Sequence, residues 1–288
     1  MPELPEVQAH GERLSAALAG QQLVGFDALS FTALKTYDPP PHAPVGRALG
    51  AVGRRGKHLL LVFDDLTYVV HLMQGGRLRL VGEPARSGGA RPAQSRRPRG
   101  GVARWAFSDG RALQLTEAGT ERRAGVWVVH GDAETAEPLS RLGPEADAVN
   151  EQQLRVLLTD HSMRLHSFLR DQRIIAGLGR RLANEVCHRV RLSPFAPTSK
   201  LAERDADRIV DAIRSVVAEG LEAERARDDM GASKDRAAAV HGRTGEPCPR
   251  CGDTVRAVEY RDYVVNYCPT CQTGGRTLAD NTTSKFLK

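Results

Sequence analysis

Two short cysteine motifs near the C-terminal end decide how this region folds: Cys248-Pro249-Arg250-Cys251 and Cys268-Pro269-Thr270-Cys271. Paired C-x2-C motifs at such a spacing place four thiolates for tetrahedral coordination of zinc. A pair of disulfides is the alternative, but a cytosolic chain is not expected to hold them. Four cysteine ligands leave no open coordination position. The motifs therefore predict one structural zinc ion that holds a small β-hairpin at 255–267.

The composition is that of an ordinary globular protein. The chain has 288 residues, 41% hydrophobic and 26% charged, with a net charge of +6. These values exclude collagen, a coiled coil and whole-chain disorder, and the length suggests about two domains. No apolar run approaches the roughly 18 residues of a membrane span, and no secretory signal is recognisable, so we expect a cytoplasmic protein. The positive charge weakly favours a polyanionic partner.

Hydrophobic periodicity divides the chain into a strand-rich half and a helical half. Helices are predicted at 5–18, from the Asn150 cap to about 159, around 167–170, at 180–189 and at 201–227. Strands are predicted at 59–63, 68–71, 77–81, 103–107, 113–115 and 125–129. The segment 82–101 holds five arginines among Gly, Pro, Ser and Ala. It is predicted to be a disordered insertion, with a basic arm that touches DNA phosphate as the alternative.

The amino terminus offers a possible nucleophile. Removal of Met1 before the small residue Pro2 would expose a secondary amine, and an α-amino group has a pKa of about 7.7–8.0. Such an amine is partly neutral at pH 7 and forms Schiff bases with carbon centres. Glu3 could act as its acid/base partner. Taken alone the motif is weak, because most chains that begin Met-Pro-Glu do no chemistry there.

Two further features have both a functional and an ordinary interpretation. Lys57 ends a basic cluster just before a predicted strand, so it could hold a phosphate or be a solvated surface lysine. Gly177 and Gly179 precede a helix and would let backbone N–H groups approach an anion, or simply form a tight turn.

In chain order, these features resemble the formamidopyrimidine-DNA glycosylase and endonuclease VIII family. The resemblance rests on MPELPEV at 1–7, on Arg55-Gly56-Lys57-His58, on Gly177-Leu178-Gly179 and on the four cysteines, and it spans nearly the whole chain. The segments 141–145 and 241–248 are also similar to the family's.

The resemblance implies an α+β fold in three parts. An N-terminal β-sandwich with flanking helices would occupy 1–135, a helix-two-turn-helix domain 136–245, and a four-cysteine zinc-finger hairpin 246–288. It also implies a partner, double-stranded damaged DNA, whose damaged nucleotide is flipped out for reaction. A chain that clasps DNA in this way needs no second copy, so we expect a monomer associated with the nucleoid.

The resemblance implies a bifunctional DNA glycosylase and AP lyase. The amine of Pro2 would attack C1′ of the damaged nucleotide, and a Schiff base with β,δ-elimination would follow. Glu3 would protonate the sugar ring oxygen, Glu6 matches a family carboxylate near the site, and Lys57 matches a lysine that binds phosphate next to the lesion.

The chain departs from the family pattern at positions that grip DNA. Arg180 replaces the Asn that normally follows the glycine turn and helps to bind phosphate. Tyr263 replaces the Arg that the zinc-finger hairpin normally presents. Arg261 lies two residues away and could compensate if the segment is extended, because residues i and i+2 share a strand face.

Other departures concern the reading of the lesion. Gln74 stands where the family has a Met that fills the space of the flipped base, with Met73 adjacent. Arg122 is retained in the second loop, but Ala124 replaces the aromatic wedge. The loop after the long helix is also short, which argues against a strong preference for 8-oxoguanine. We therefore expect shifted or relaxed lesion choice.

Two other functions remain open at this level. A damaged-DNA or abasic-site binding protein with weak or no turnover would fit the replacements Arg180 and Tyr263, although the retained Pro2, Glu3 and Lys57 argue against it. A zinc-ribbon interaction module unrelated to repair would not explain the match at both ends of the chain.

Overall fold

The computed structural model describes residues 1–84, 98–119, 123–230, 236–261 and 263–278. The chain forms two compact units. The N-terminal unit comprises Met1–Arg141 with Asp228–Met230, and the C-terminal unit comprises Leu142–Arg227 with Gly231–Lys288. No helix in the described part of the chain is long and apolar enough to cross a membrane.

Among its described residues, the N-terminal unit contains one α-helix, three short 3-10 helices and two four-stranded sheets. Helix α1 spans Leu4–Leu18. The sheets have the strand orders β1-β6-β7-β5 and β2-β3-β4-β8, and every pairing is antiparallel. The strands are β1 Leu23–Ala28, β2 Ala51–Arg55, β3 His58–Phe63, β4 Leu66–His71, β5 Gly76–Val81, β6 Gly101–Phe107, β7 Ala112–Glu117 and β8 Gly125–His130.

The core lies between the two sheets. The buried Tyr68 of β4 packs edge-on against the buried Trp105 of β6, with ring centroids 5.6 Å apart. These residues belong to one hydrophobic cluster with Phe63 and Phe107. The predicted β-sandwich is thereby confirmed, and all six predicted strands are present. Sequence reasoning missed β1 and β2, whose residues are mostly half-buried or exposed and show little hydrophobic alternation.

Helix α1 is anchored closely on the second sheet. Ser15 Oγ accepts a hydrogen bond of 3.1 Å from the Val52 backbone N–H of β2. Gly11 faces β3, where an added Cβ would lie 3.3 Å from Leu59 Cδ2. The helix begins with Glu3 as N-cap and a proline in its first turn, where a missing N–H costs nothing. The chain's first residues are thus held beside β2 and β3.

The C-terminal unit consists of helices and one hairpin. Predicted and observed helix ends agree to within about two residues, the usual uncertainty of such boundaries. The elements are α2 Glu151–Asp160, α3 Leu165–Arg170, α4 Arg180–Arg189, α5 Glu203–Arg225, β9 Arg256–Glu259, β10 Val264–Tyr267 and α6 Pro269–Thr273. Strands β9 and β10 pair as the predicted hairpin. Helical and cysteine-bearing segments share one compact unit, and the division at 135 and 245 remains a prediction.

The turn between β4 and β5 depends on a glycine. The Gly76 N–H donates to the Leu72 carbonyl at 2.9 Å, and Met73 has a left-handed φ of 52°. An added Cβ on Gly76 would lie 2.1 Å from the Leu72 carbonyl oxygen. Because that atom belongs to the backbone, no side-chain movement relieves the clash, so only glycine fits here.

We predict that Gly76→Ala lowers the free energy of unfolding by about 2 kcal/mol or more, the usual cost of an unrelieved overpacked contact. Gly53→Ala in β2 is the matched control, because its Cβ would meet Leu60 Cβ at an ordinary 3.9 Å. Urea unfolding of both variants measures the difference. Equal effects of the two substitutions would contradict this account of the turn.

Candidate active site and nucleic-acid interface

The first residues of the chain form a buried charged cluster with the β2–β3 turn. We call Pro2, Glu3, Glu6 and Lys57 the amino-terminal cluster. All four are buried: Glu6 is 0% and Lys57 is 4% exposed. Burying charges is costly unless they interact favourably with one another. A cluster of this kind is therefore a candidate for a functional site.

The cluster surrounds the chain's terminal amine. The Glu6 carboxylate accepts a 2.8 Å hydrogen bond from the Glu3 backbone N–H, which holds the first turn of α1. Burial lowers the pKa of the terminal ammonium of Met1; the Glu3 and Glu6 carboxylates raise it, and Arg77 and Lys57 lower it. The charges of Glu3, Glu6 and Lys57 thus all act on the same amine, and so does that of Arg77, which sequence reasoning missed.

Lys57 owes its position to a tight turn. Gly56 has a φ of 55°, in the left-handed region that glycine adopts without strain, and Lys57 follows it directly before β3. With 4% of its surface exposed, Lys57 is not the solvated surface lysine that the sequence left open. Its ammonium is instead held within the amino-terminal cluster, where it acts on the terminal amine.

Two histidines adjoin Lys57. His58 and His71 lie directly opposite each other on β3 and β4, with ring centroids 4.5 Å apart. Burial lowers the pKa of His71 to about 3, and the charges of His58 and Lys57 act in the same direction. His71 is therefore neutral at physiological pH. His58 stood within the motif quoted above, but sequence reasoning gave neither histidine a role.

Two loops are expected to fill the space that a flipped base leaves, and their side chains differ in exposure. Gln74 is exposed and Met73 is half-buried in the β4–β5 turn. Ala124 is only 3% exposed and belongs to the N-terminal core, so it offers no side chain to DNA. The buried Glu117 carboxylate accepts a 2.8 Å hydrogen bond from the Ala124 N–H and braces this loop, a role that sequence reasoning missed. Arg122, and residues 85–97 of the arginine-rich segment, lie outside the described residues.

The glycine turn before α4 is built around one glutamine. Gly177 has a φ of 101°, and Gly179 is the N-cap of α4 without a capping side chain. The Gln172 side chain accepts from the Gly177 N–H at 3.0 Å and donates to the Leu178 carbonyl at 2.7 Å. The residue that closes this turn is therefore Gln172, which sequence reasoning did not single out.

The four predicted cysteines form one cluster. The Sγ atoms of Cys248, Cys251, Cys268 and Cys271 all lie within 4.8 Å of one another, and none is in a disulfide. Two of the Sγ–Sγ distances are 4.0 and 3.4 Å. Tetrahedral zinc with Zn–S bonds of about 2.3 Å requires thiolates about 3.8 Å apart. The geometry therefore fits a zinc ion with four cysteine ligands.

Helix α4 contacts the cysteine cluster through its last turn. His188, buried in the last turn of α4, lies with Nε2 3.3 Å from Cys248 Sγ. Gln272 donates to the Leu192 carbonyl just beyond the helix at 3.0 Å. Contacts of this type orient metal ligands, and they attach the cysteine cluster to the helical part of the same unit.

Two tyrosines lie at the tip of the zinc-finger hairpin. Between the end of β9 and the start of β10, the Tyr260 N–H donates a 2.8 Å hydrogen bond to the Tyr263 carbonyl. Arg261 is exposed and lies in a bend outside both strands, so the strand-face argument for it does not apply. Arg180 lies with Cζ 5.0 Å from the Tyr263 ring centroid. The two replaced positions therefore contact each other.

Three family models match the chain in order. They are the formamidopyrimidine-DNA glycosylase N-terminal domain at 1–127, the H2TH domain of the same enzymes at 142–229, and a zinc finger found in FPG and IleRS at 245–274. A formamidopyrimidine-DNA glycosylase of Chloroflexus aurantiacus is 33% identical over 287 residues, which cover 94% of this chain and 98% of the relative.

Solved structures agree with the fold. The MutM (FPG) protein of Thermus thermophilus has a TM-score of 0.78 at 30% identity and covers 96% of this chain and 100% of its own. The Lactococcus lactis enzyme bound to DNA containing an AP site has a TM-score of 0.80 at 22% identity, covering 94% and 99%.

The β-sandwich, the helix-two-turn-helix region and the four-cysteine hairpin define a DNA-repair glycosylase with a zinc finger. The chain belongs to the formamidopyrimidine-DNA glycosylase family.

The low pKa of His71 predicts an acid-sensitive fold. Between an ordinary histidine pKa of 6.5 and about 3, the unfolded chain binds a proton that the folded chain does not, so stability falls as the pH drops through this window. His71→Gln removes this term and should flatten the dependence of unfolding free energy on pH by up to about 1.4 kcal/mol per pH unit. Urea unfolding from pH 7 to 4.5 measures it. His42→Gln, which changes an exposed histidine, should keep the wild-type slope of unfolding free energy against pH. An unchanged slope in His71→Gln would show that His71 does not cause this pH dependence.

Proposed function

We propose that this protein is a bifunctional DNA glycosylase and AP lyase that removes oxidised bases from double-stranded DNA. One observation carries the proposal: Pro2, Glu3, Glu6 and Lys57 are all buried, and the charges of Glu3, Glu6 and Lys57 all act on the chain's terminal amine. Membership of the formamidopyrimidine-DNA glycosylase family supports it.

The chemistry begins at the secondary amine of Pro2 once Met1 is removed. The amine attacks C1′ of a flipped-out nucleotide, the C1′–N bond breaks, and its electron pair leaves with the base. Glu3 gives a proton to the sugar ring oxygen as the ring opens, so that a Schiff base joins Pro2 to C1′. β-Elimination and then δ-elimination expel the two phosphates and cut the strand. Burial lowers the pKa of the Met1 ammonium, and the next residue, Pro2, is itself buried. By the same effect, burial would favour the neutral, nucleophilic form of an amine exposed at Pro2.

Lys57 is proposed to bind the phosphate next to the lesion. The Lys57 ammonium and the Glu3 and Glu6 carboxylates act on the same terminal amine, and a DNA phosphate would be an additional anionic partner for the ammonium. Lys57 lies directly before β3, after Gly56 of the β2–β3 turn. A phosphate held there would set the distance between Pro2 and the sugar.

The proposed lesion choice is relaxed. The buried Ala124 cannot fill the space left by an everted base, and the exposed Gln74 is a polar replacement for the usual methionine. Opposite-base reading should therefore be weaker than in enzymes with an aromatic wedge. Oxidised pyrimidines, formamidopyrimidines and plain abasic sites are the proposed substrates, without a strong preference for 8-oxoguanine. We also propose that the protein acts as a monomer.

One zinc ion is proposed to bind the four cysteines as a structural metal. Four thiolate ligands complete a tetrahedral shell and leave no position for a reacting group. The hydrophobic cluster beside this pair of four-residue strands is small, and three of its members, Cys248, Cys268 and Cys271, are cysteines of the predicted site. Zinc would therefore contribute folding free energy to the hairpin rather than chemistry.

Borohydride trapping tests the proposed nucleophile. Protein shown by intact mass to lack Met1 should form a covalent adduct with duplexes that carry an abasic site, a formamidopyrimidine or an oxidised thymine, and less with 8-oxoguanine. Pro2→Leu should abolish the adduct, because it removes the proline amine and also keeps Met1 attached. Pro5→Ala is the matched control: it alters a buried proline of the same segment and should still be trapped.

Two outcomes of the trapping experiment would contradict the proposal. Full trapping of Pro2→Leu would reject Pro2 as the nucleophile. No adduct with the abasic duplex, despite confirmed loss of Met1, would favour a protein that binds damaged DNA without turnover.

Loss of one zinc ligand should release the metal and weaken DNA binding. Cys268→Ser should bind zinc at least tenfold more weakly, because thiolate ligation supplies the site's affinity. A chromogenic chelator measures the bound metal, and fluorescence anisotropy measures DNA binding. The control is Cys187→Ala, which changes the buried fifth cysteine outside the cluster and should retain one zinc per chain. Full zinc content in Cys268→Ser would reject the site.

A further inference from the structure

Arg77 is a half-buried cation near the start of β5 that the proposed mechanism does not use. The preceding residue, Gly76, ends the tight β4–β5 turn, in which its N–H donates to the Leu72 carbonyl at 2.9 Å. Arg77 Nη1 in turn donates a 2.8 Å hydrogen bond to the Gly76 carbonyl. The backbone of the turn therefore holds the guanidinium at this end of the strand.

A buried hydrogen bond ties β5 to helix α1. Strand β5 lies at the edge of its sheet, where backbone groups on the outer side need partners from outside the sheet. The Leu78 carbonyl lies 2.7 Å from Nε2 of His10, which is 4% exposed. Because a carbonyl oxygen only accepts, His10 Nε2 carries the proton and donates it. Burial lowers the pKa of His10, so the ring is neutral at pH 7. The strand that carries Arg77 is thus fixed against α1.

The face of α1 that contacts β5 is the face that carries the carboxylates. His10 follows Glu6 by four residues and the N-cap Glu3 by seven, so the three lie on one side of the helix. The hydrogen bond from His10 therefore turns the carboxylate-bearing side of α1 toward β5, the strand whose turn end holds the Arg77 guanidinium.

Two cations from different elements act on the terminal amine. Lys57 comes from the β2–β3 turn and Arg77 from the end of the β4–β5 turn. Burial has the largest effect on the pKa of the Met1 ammonium and lowers it; of the two cations, Arg77 lowers it more than Lys57 does. In the proposed reaction, two phosphates flank the nucleotide that the amine attacks, and elimination expels both. One lysine can neutralise one of them, so the other needs a further cation.

We propose that Arg77 binds the phosphate on the side of the damaged nucleotide opposite the one that Lys57 holds, so that a cation stands at each flanking phosphate. A guanidinium suits this position because its planar fork of N–H donors matches the oxygens of a phosphate and stays charged throughout the reaction. As each C–O bond breaks, its electron pair leaves on a phosphate oxygen, and a fixed positive charge beside that oxygen stabilises it. The inference rests on the proposed function, because it requires DNA with its reacting sugar at the amine.

The first measurement is the salt dependence of binding to a duplex that carries a tetrahydrofuran abasic analogue, which cannot form a Schiff base. Each phosphate neutralised contributes about −0.9 to the slope of log K against log salt concentration. Arg77→Gln removes the charge but keeps a polar side chain. It should weaken binding about tenfold, as expected for the loss of a charge-assisted hydrogen bond, and make the slope shallower by about 0.9. An unchanged slope would overturn the proposal.

The second measurement identifies the phosphate. A methylphosphonate replaces one charged phosphate by a neutral group, and it is placed either 5′ or 3′ to the tetrahydrofuran site. Wild-type protein should lose affinity with both duplexes. Arg77→Gln should be insensitive to one replacement and still sensitive to the other, whose phosphate Lys57 would hold. Sensitivity of Arg77→Gln to both replacements, or to neither, would overturn the assignment, as would a wild-type protein that responds to only one of them.

The matched control is Arg79→Gln. Arg79 shares a strand face with Arg77, but it is 65% exposed and lies 3.9 Å from the Asp229 carboxylate. This variant should keep the wild-type slope and the response to both methylphosphonates. Far-UV circular dichroism confirms that each variant is folded. If wild-type protein fails to bind the abasic duplex, the proposed function falls and this inference with it. If wild-type protein binds but Arg77→Gln keeps its slope, only the role of Arg77 is wrong.

Discussion

The hydrogen bond from the Glu3 N–H to the buried Glu6 carboxylate is the constraint on which the amino-terminal cluster depends. It satisfies a backbone donor at the start of α1 that no helical carbonyl can reach. It also places a second carboxylate within reach of the terminal amine. Because α1 is anchored on β2 by Ser15, the amine cannot move independently of the turn that carries Lys57. The chain terminus, usually the most mobile point of a protein, is thereby held in place.

Helix α4 has the corresponding role in the C-terminal unit. Its N-cap, Gly179, ends the glycine turn. Its central Glu185 accepts hydrogen bonds from the backbone N–H groups of residues 239–241, at 2.7, 3.1 and 2.9 Å. Its last turn brings His188 to Cys248. One helix of ten residues therefore positions the turn, the segment leading to the hairpin and the metal cluster, so a change at either end of α4 acts on the whole unit.

Sequence reasoning succeeded where function depends on residue type and failed where it depends on packing. The cysteine spacing predicted the cluster because zinc demands four thiolates whatever surrounds them. The strands of the core followed from their hydrophobic patterns, whereas β1 and β2, mostly half-buried or exposed, carried no such pattern. Gln172 and Glu117 were missed because a polar residue that closes a turn resembles any surface residue until its backbone partners are known. The contact of Arg170 with the Tyr263 ring was missed because the two residues are 93 positions apart in sequence (263 − 170).

The departures from the family pattern can be divided in the same way, into positions where the chemistry demands one residue type and positions where it does not. The proposed Schiff base requires an amine at the reacting carbon, so the proposal depends on Pro2 and on the charges that act on the terminal amine. Holding a phosphate requires only positive charge at the right distance, and several combinations of side chains can provide it. The contact of Arg180 with the Tyr263 ring shows that the two replaced positions are structurally linked rather than independent. Different residues at the positions expected to hold DNA are therefore compatible with unaltered chemistry at the amino terminus.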